Sequence, residues 1–206
     1  MKKYLITRSA LIMLGAYADW QTAALNDGQS IQLFNDSGKA EQNKTRKWLP
    51  LIQNSVWMQK TFDLTRLPEE WRSNIGSAEV WIYCQAADQS VAVKKLPQKN
   101  GLTEEVEVIV NGNAQVLKLS DPVFPSYRNW AKIKIDPALI TGNTLTVQIH
   151  KMPSATNDDF LYMGVDVSCI PAHSKVSVSS GKSFRFENGA LPGLKGEYMI
   201  RLVLSR

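Results

Sequence analysis

The sequence predicts an all-β protein, an antiparallel β-sandwich of two sheets with a jelly-roll arrangement. One observation is a hairpin: residues 106–110 alternate, a turn follows at Asn111-Gly112, and residues 114–119 alternate again. Asn-Gly is the dipeptide that best tolerates the positive φ angles of a tight hairpin turn. A second observation is that about eleven such short runs recur along the chain with almost no helical pattern. A chain of this kind is expected to form two facing sheets organised around the hairpin.

Length and composition favour one globular domain, expected to span residues 19–206. The 206 residues suit one all-β domain, and 44% hydrophobic with 21% charged residues are globular values. The longest apolar run, residues 10–18, is well short of the ~20 residues that a spanning helix needs, so no membrane span is predicted. The formal charge is +5, but Lys and Arg are spread along the chain, which favours a solvated basic surface and no nucleic-acid partner.

Residues 1–18 have two competing interpretations. Basic residues at positions 2, 3 and 8 flank and precede an apolar segment, and the Ala-Tyr-Ala at 16–18 has the small-x-small pattern of a cleavage site. Together these features predict a signal peptide, and with it an extracellular or cell-envelope protein. The apolar segment is short, however, so an N-terminal strand or an uncleaved segment is the alternative.

Turn residues delimit the strands of the first half. An Asn-Asp-Gly turn precedes the strand at residues 30–34, and the strand at 56–64 alternates clearly. A proline and two glutamates then suit a single helical turn at 67–71, and Trp71 is expected to plug one end of the core.

Residues 78–85 form the next alternating run. Alternation places Cys84 on the apolar face of this strand, so we predict a buried thiol and no disulfide with Cys169. Two cysteines without histidine partners also exclude a structural zinc site.

The second half starts with a loop at residues 121–129, which two prolines make rigid. The runs at 130–135 and 144–150 are expected to pair as a hairpin across the turn between them. The remaining strands are expected at residues 160–168, 175–178, 183–186 and 197–204.

Five segments follow one another in a recognisable order: Val-Trp-Met-Gln-Lys-Thr-Phe-Asp-Leu at 56–64, Ala-Glu-Val-Trp-Ile at 78–82, Val-Ile-Val-Asn-Gly at 108–112, Ile-Lys-Ile-Asp at 133–136 and Gly-Asn-Thr-Leu-Thr-Val at 142–147. Their order and spacing resemble the galactose-binding-like jelly-roll domains. That group includes the sugar-binding domain of glycoside hydrolase family two and related modules of bacterial secreted carbohydrate-active proteins. The resemblance covers residues 19–168 and is weaker in the tail.

The resemblance implies a β-sandwich that binds glycans or serves as a non-catalytic spacer beside a catalytic domain. The 206 residues contain no catalytic domain, which departs from the arrangement in those enzymes. The resemblance also implies that ligands bind in loops at one end of the sandwich. The candidate ligand-binding residues are Tyr127, Arg128 and Asn129 in the proline-bounded loop, and Asn157, Asp158 and Asp159 in the loop before residue 160. Each group also has a plain structural interpretation, as a cap on the core or an ordinary turn.

A second candidate platform consists of Trp81 and Tyr83, two aromatic residues on one face of a strand. Carbohydrate recognition uses a flat aromatic ring against the apolar face of a pyranose, with polar groups nearby for the hydroxyls. Lys132 and Glu107 are expected to lie beside these rings. The alternative is that the rings belong to the core, which follows if this face packs against the second sheet.

No motif predicts catalysis or a resident cofactor. Gly-x-Ser-x-Gly, His-Glu-x-x-His and phosphate-loop patterns are absent from the sequence, and His150 is expected to be surface decoration at a strand end. Asp158, Asp159 and Asp166 offer oxygens for a structural calcium ion, although no Asp-x-Asp-x-Asp-Gly loop is present.

Two functions follow from these observations. The first is a non-catalytic carbohydrate-binding or accessory module of a bacterial carbohydrate-active system, with a glycan or a larger carbohydrate-active protein as its partner. The alternative is a structural or assembly protein with a jelly-roll fold, a component of a virion or cell-surface complex without a glycan ligand. The oligomeric state and the identity of the glycan stay open.

Overall fold

A computed structural model describes residues 19–37, 56–169, 173–186 and 196–206, and the backbone of residues 46–51. The two interpretations of residues 1–18 lie outside this part of the chain. Among the described residues, no helix is both long and apolar enough to span a membrane.

Strands dominate the described residues, and the helices are single turns. The elements are β1 (Gln21–Ala24), β2 (Ser30–Phe34), β3 (Arg46–Leu51), β4 (Trp57–Asp63), α1 (Glu69–Arg72), β5 (Ser77–Asp88), α2 (Ser90–Val93), β6 (Glu105–Val110), β7 (Asn113–Lys118), β8 (Asn129–Ile135), β9 (Thr144–Lys151), β10 (Asp159–Asp166), β11 (Ser174–Ser177), β12 (Arg185–Phe186), β13 (Glu197–Tyr198) and β14 (Ile200–Ser205). Short 3-10 turns lie at Leu64–Arg66 and Pro137–Leu139. The predicted all-β class is confirmed.

The strands form two antiparallel sheets, as the sequence predicts. The first sheet has the order β1-β2-β14-β5-β10-β13, with β8 on the other edge of β5 and β3 on β10. The second sheet has the order β12-β11-β4-β9-β6-β7. This arrangement is consistent with a β-sandwich.

The core consists of the inward residues of both sheets. Alternation along the central strands sends every second side chain inward, and these positions are almost all aliphatic. Buried core residues of the second sheet are Met58, Phe62, Val106, Val108, Val110, Leu145, Val147 and Ile149, and those of the first sheet include Leu33, Val80, Ile82, Ile133, Leu161, Met163 and Leu202. Trp71 of α1 packs against this core, as expected.

The prediction that Cys84 is a buried thiol and forms no disulfide with Cys169 is confirmed. Cys84 and Cys169 are free and buried. Burial raises the pKa of each thiol to about 12, so both are protonated at neutral pH.

The first sheet contains a fork at Met199, where three strand segments meet. β5 and β10 pair directly as far as Cys84 and Met163, and beyond this point they separate. The last strands fill the gap: β13 pairs with β10, β14 pairs with β5, and Met199 bonds to both through Gly164 O (2.9 Å) and Tyr83 N (3.0 Å). A Cβ on Gly164 would lie 3.0 Å from the Tyr83 ring and 3.1 Å from Met199 Sδ, so a larger residue there would require these neighbours to shift.

Two predictions about pairing need correction. β8 and β9, which correspond to the runs at 130–135 and 144–150, are not a hairpin: β8 pairs with β5 in the first sheet, whereas β9 pairs with β4 and β6 in the second. The β6–β7 hairpin exists, with positive φ angles at Asn111 (47°) and Gly112 (85°), but it lies at the edge of the second sheet. The fold is therefore not organised around it.

Candidate functional site

The outer face of the first sheet carries a row of aromatic side chains, which we call the aromatic face: Trp81 and Tyr83 of β5, Trp130 of β8, and Phe160 and Tyr162 of β10. Their strand neighbours Val80, Ile82 and Ala131 point inward to the core. Because successive side chains alternate, the rings face away from the second sheet. All but Tyr83 are only partly buried.

Trp130 joins the rings of β5 into one surface. Its centroid lies 5.2 Å from the Tyr83 ring at 59° and 6.4 Å from the Trp81 ring at 48°. These tilted arrangements are the ones that aromatic pairs prefer. The Trp81 indole also donates from Nε1 to Glu79 Oε2 at 2.7 Å, which fixes the orientation of the ring.

Two cations lie over the indole rings of this face. Lys132 Nζ is 4.1 Å from the Trp81 ring, and Arg201 Cζ is 4.3 Å from the Trp130 ring. Arg201 is held by a bidentate pair with buried Asp36, through Nε (2.9 Å) and Nη2 (2.8 Å). The guanidinium is therefore fixed against the Trp130 ring, whereas Lys132 lies on an exposed position of β8.

The proline-bounded loop lies at the end of the aromatic face. Gln85 shares the outer side of β5 with Trp81 and Tyr83, and its amide donates to Ser126 O at 2.9 Å. Tyr127 is 65% exposed, and its hydroxyl accepts from Asn129 Nδ2 at 3.3 Å. The loop thus presents the exposed ring of Tyr127 at the end of the aromatic face.

Of the eight predicted ligand-binding residues, Trp81 and Tyr83 lie on the aromatic face, and Tyr127, Arg128 and Asn129 lie in or directly after the loop that Gln85 contacts. The hypothesis that Trp81 and Tyr83 belong to the core between the sheets is wrong, because they lie on the opposite face. Tyr83 is nevertheless buried, by Met199 and Trp130. Lys132 lies beside Trp81 as expected, but Glu107 is on the second sheet.

The loop before β10 is part of a different site, an acidic cluster formed by Glu104, Asp158 and Asp159. Each residue contributes a carboxylate oxygen that lies within 4.8 Å of the others, and all three side chains are buried. Lys151 at the end of β9 contacts Glu104 Oε2 and donates from Nζ to Asp159 O at 3.0 Å. Asn157 of the same loop is exposed, so glycan binding by this loop stays a prediction that rests on Asn157.

Alternation explains why charged groups meet at this end of the sandwich. Glu104, Lys151 and Asp159 occupy the next inward positions beyond the last aliphatic residues of β6, β9 and β10. The cluster therefore closes the core. The sequence prediction missed Glu104 and Lys151. Each lies two residues beyond the last inward aliphatic residue of its strand, which was the available indication. Recognising that the two meet also required the pairing of the strands.

Backbone and hydroxyl donors hold one oxygen of Glu104. Glu104 Oε1 accepts from Ser154 Oγ (2.9 Å), Thr156 Oγ1 (2.7 Å) and Asp158 N (2.9 Å). Burial opposes ionisation of Glu104, but the hydrogen bonds from Lys151 and Thr156 hold its pKa below the usual value. Burial raises the pKa of Asp159, and the neighbouring carboxylates raise it further.

The expected third calcium oxygen, from Asp166, lies elsewhere. Asp166 is at the opposite end of β10 from Asp159, roughly 23 Å away at about 3.3 Å per residue. Its carboxylate accepts from Ser37 N (2.7 Å) and Ser168 Oγ (2.6 Å). Asp166 therefore does not belong to the acidic cluster.

His150 is not surface decoration. It lies on the outer face of the second sheet but is only 5% exposed, because its ring stacks on Trp57 at 3.8 Å and 4°. Its Nε2 is 2.7 Å from Glu107 Oε2. The register of β9 with β4 and β6 places all three residues side by side.

No protein-family model matches this chain, and no curated protein matches it significantly. The class that the fold defines is an antiparallel two-sheet β-protein.

Proposed function

We propose that this protein is a non-catalytic carbohydrate-binding module that holds a glycan on the aromatic face, as an accessory of a bacterial carbohydrate-active system outside the cell or in its envelope. The observation that carries the proposal is the pair of partly buried indoles, Trp81 and Trp130, in contact over buried Tyr83, together with the exposed ring of Tyr127. The galactose-binding-like type of jelly roll is part of the same proposal.

The chemistry of the face suits a pyranose ring. The apolar face of a sugar packs on an indole or phenol ring, and its hydroxyls require donors and acceptors at the rim. Lys132 provides a donor beside the Trp81 ring, and the proline-bounded loop carries Arg128 and leads into Asn129, whose amide contacts the Tyr127 hydroxyl. The excess of cations at this rim favours glycans that carry carboxylates.

Titration of the full chain with acidic and neutral oligosaccharides, after a glycan-array screen, tests the proposal. We expect Trp81→Ala and Tyr127→Ala each to weaken binding about tenfold, because each removes one stacking surface. Tyr127→Ala should leave the melting temperature unchanged, since the ring is 65% exposed.

Trp57→Ala is the matched control. It removes an indole from the outer face of the second sheet, where Trp57 stacks on His150. Glycan affinity should therefore survive in this variant. Equal affinity in wild type, Trp81→Ala and Tyr127→Ala, or no glycan retained at all, would contradict the proposal.

The second candidate function is assembly through a sheet edge. β7 is one of the two edge strands of the second sheet among the described strands, five of its six residues are exposed, and Val116 is 46% exposed. An open edge of this kind can pair with a strand of another chain. Size-exclusion chromatography with light scattering separates the two candidates: a glycan-blind oligomer that Val116→Lys dissociates supports assembly, and a glycan-binding monomer supports the module.

A further inference from the structure

We infer that the acidic cluster of Glu104, Asp158 and Asp159 binds a divalent cation of the calcium type. One carboxylate oxygen from each residue lies within 4.8 Å of the other two. This spacing suits three oxygens around one ion, because Ca²⁺–oxygen distances are about 2.3–2.6 Å.

Two unpaired oxygens point to a ligand independently of the clustering. Asp158 Oδ1 and Asp159 Oδ1 are buried and accept no hydrogen bond, in side chains that are 1% and 0% exposed. The other oxygen of each carboxylate is bonded: Asp158 Oδ2 accepts from Asn100 Nδ2, and Asp159 Oδ2 from the amides of Thr103 and Glu104. A buried carboxylate oxygen without a partner is costly, and a cation is the partner that satisfies two of them at once.

The charge balance supports the same conclusion. The cluster has three carboxylates, and Lys151 is the cation that contacts it among the described residues. Pairing of Lys151 with Glu104 leaves the two aspartates as adjacent buried acids. A divalent cation between them would balance both charges.

Oxygen ligands favour a hard cation. The cluster consists of three carboxylates, the hydroxyls of Ser154 and Thr156 contact Glu104 Oε1, and no thiol or imidazole is part of the cluster as described. Calcium accepts irregular sets of six to eight oxygens, while magnesium requires near-octahedral geometry. We therefore expect Ca²⁺ to bind more tightly than Mg²⁺.

Calorimetric titration of the EDTA-treated full chain with CaCl₂ and with MgCl₂ tests this site. We expect saturable Ca²⁺ binding, and a melting temperature raised by about 5–10 °C when free Ca²⁺ is 100 times the dissociation constant. Asp158→Asn keeps the size of the side chain and its contact with Asn100 but removes one charge. It should weaken Ca²⁺ binding at least tenfold.

Asp121→Asn is the matched control, because Asp121 caps its own turn by accepting from Val123 N at 2.9 Å and lies outside the cluster. Its Ca²⁺ affinity should equal that of wild type. Near-UV circular dichroism checks that each variant is folded; if Asp158→Asn is not, the wild-type titration decides. No saturable heat and no Ca²⁺-dependent melting shift in the wild type, or equal affinity in a folded Asp158→Asn, would overturn the site.

Discussion

Lys60 and Glu197 form an ion pair in the interior of the sandwich, with both side chains fully buried and 3.8 Å between Nζ and Oε2. Lys60 Nζ also donates to Tyr198 O, and Glu197 accepts from His173 N (2.9 Å) and Ser174 Oγ (2.6 Å). Burial lowers the pKa of Lys60, and the carboxylate of Glu197 raises it in part. The pair therefore supports a charge that burial alone would disfavour.

Glu197→Ala should lower the free energy of unfolding by about 3–5 kcal/mol, because it leaves the Lys60 ammonium buried without its counter-charge. Urea denaturation at pH 7 measures the change. The control is Glu69→Ala, which removes the partner of Arg72 in an exposed pair and should cost about 0–1 kcal/mol. Similar losses of unfolding free energy in the two variants would show that the buried pair stabilises the fold no more than the exposed pair does.

Single residues show what alternation predicts and what it does not. The apolar face at residues 78–85 correctly placed Cys84 in the core. The same rule gives Lys60 an inward position between Met58 and Phe62, but the counter-charge that makes this tolerable is 137 positions away in sequence, at Glu197. The partner of a buried charge can be far away in sequence, so the local sequence around Lys60 does not indicate it.

At the scale of elements, the β6–β7 hairpin is tied to β9 through Asn111. Besides its positive φ angle, Asn111 donates from Nδ2 to Leu139 O (2.8 Å) and accepts at Oδ1 from Thr146 N (2.9 Å). Its backbone N–H donates to Thr146 O as well. The turn residue therefore connects the hairpin to the crossover between β8 and β9.

Asn111→Ala should cost about 2–3 kcal/mol, because two side-chain hydrogen bonds of about 1 kcal/mol each are lost and alanine is strained at this φ. Chemical denaturation measures the loss. Asn113→Ala, two residues away, removes only a 3.5 Å contact and should change stability by less than about 0.5 kcal/mol. If both variants are equally stable, Asn111 is simply a turn residue.

The elements themselves were predictable, but their pairing was not. Most strands lie within a few residues of the predicted runs, since alternation and turn residues are local. β8 and β9 are also adjacent in sequence, which suggested a hairpin. However, the 3-10 turn Pro137–Leu139 lies in a connection that passes from one sheet to the other. The choice between a hairpin and a crossover depends on which partner strands are present elsewhere.

The same limit applied to the candidate site. Trp81 and Tyr83 were identified from one strand, but Trp130, which joins them, required the β5–β8 register. Glu104 likewise became a cluster residue only through pairing of β6 with β9. Local patterns predict which side chains share a face of each strand, and the order of strands in the sheet determines which of these side chains become neighbours.

At the scale of the whole molecule, the C-terminal strand holds the first sheet together. β14 lies between β2 and β5, and five of its six residues are buried, although it is the last element of the chain. Sequence separation between β14 and β2 is nearly the full described length, so this contact is among the most non-local in the fold.

Removal of residues 197–206 should therefore abolish folding rather than trim an edge. The truncated chain would leave the edges of β2 and β5 that β14 occupies unpaired, and we expect an aggregation-prone protein without near-UV circular dichroism or dispersed amide resonances. Deletion of Arg206 alone is the control, since it removes one backbone hydrogen bond to Gln29 and a cation–π contact with Trp71 (4.1 Å). That variant should fold with a loss of about 1 kcal/mol. A cooperative thermal transition in the longer truncation would contradict this prediction. It would mean that the two sheets pack without β14 and that the fold does not depend on the fork at Met199.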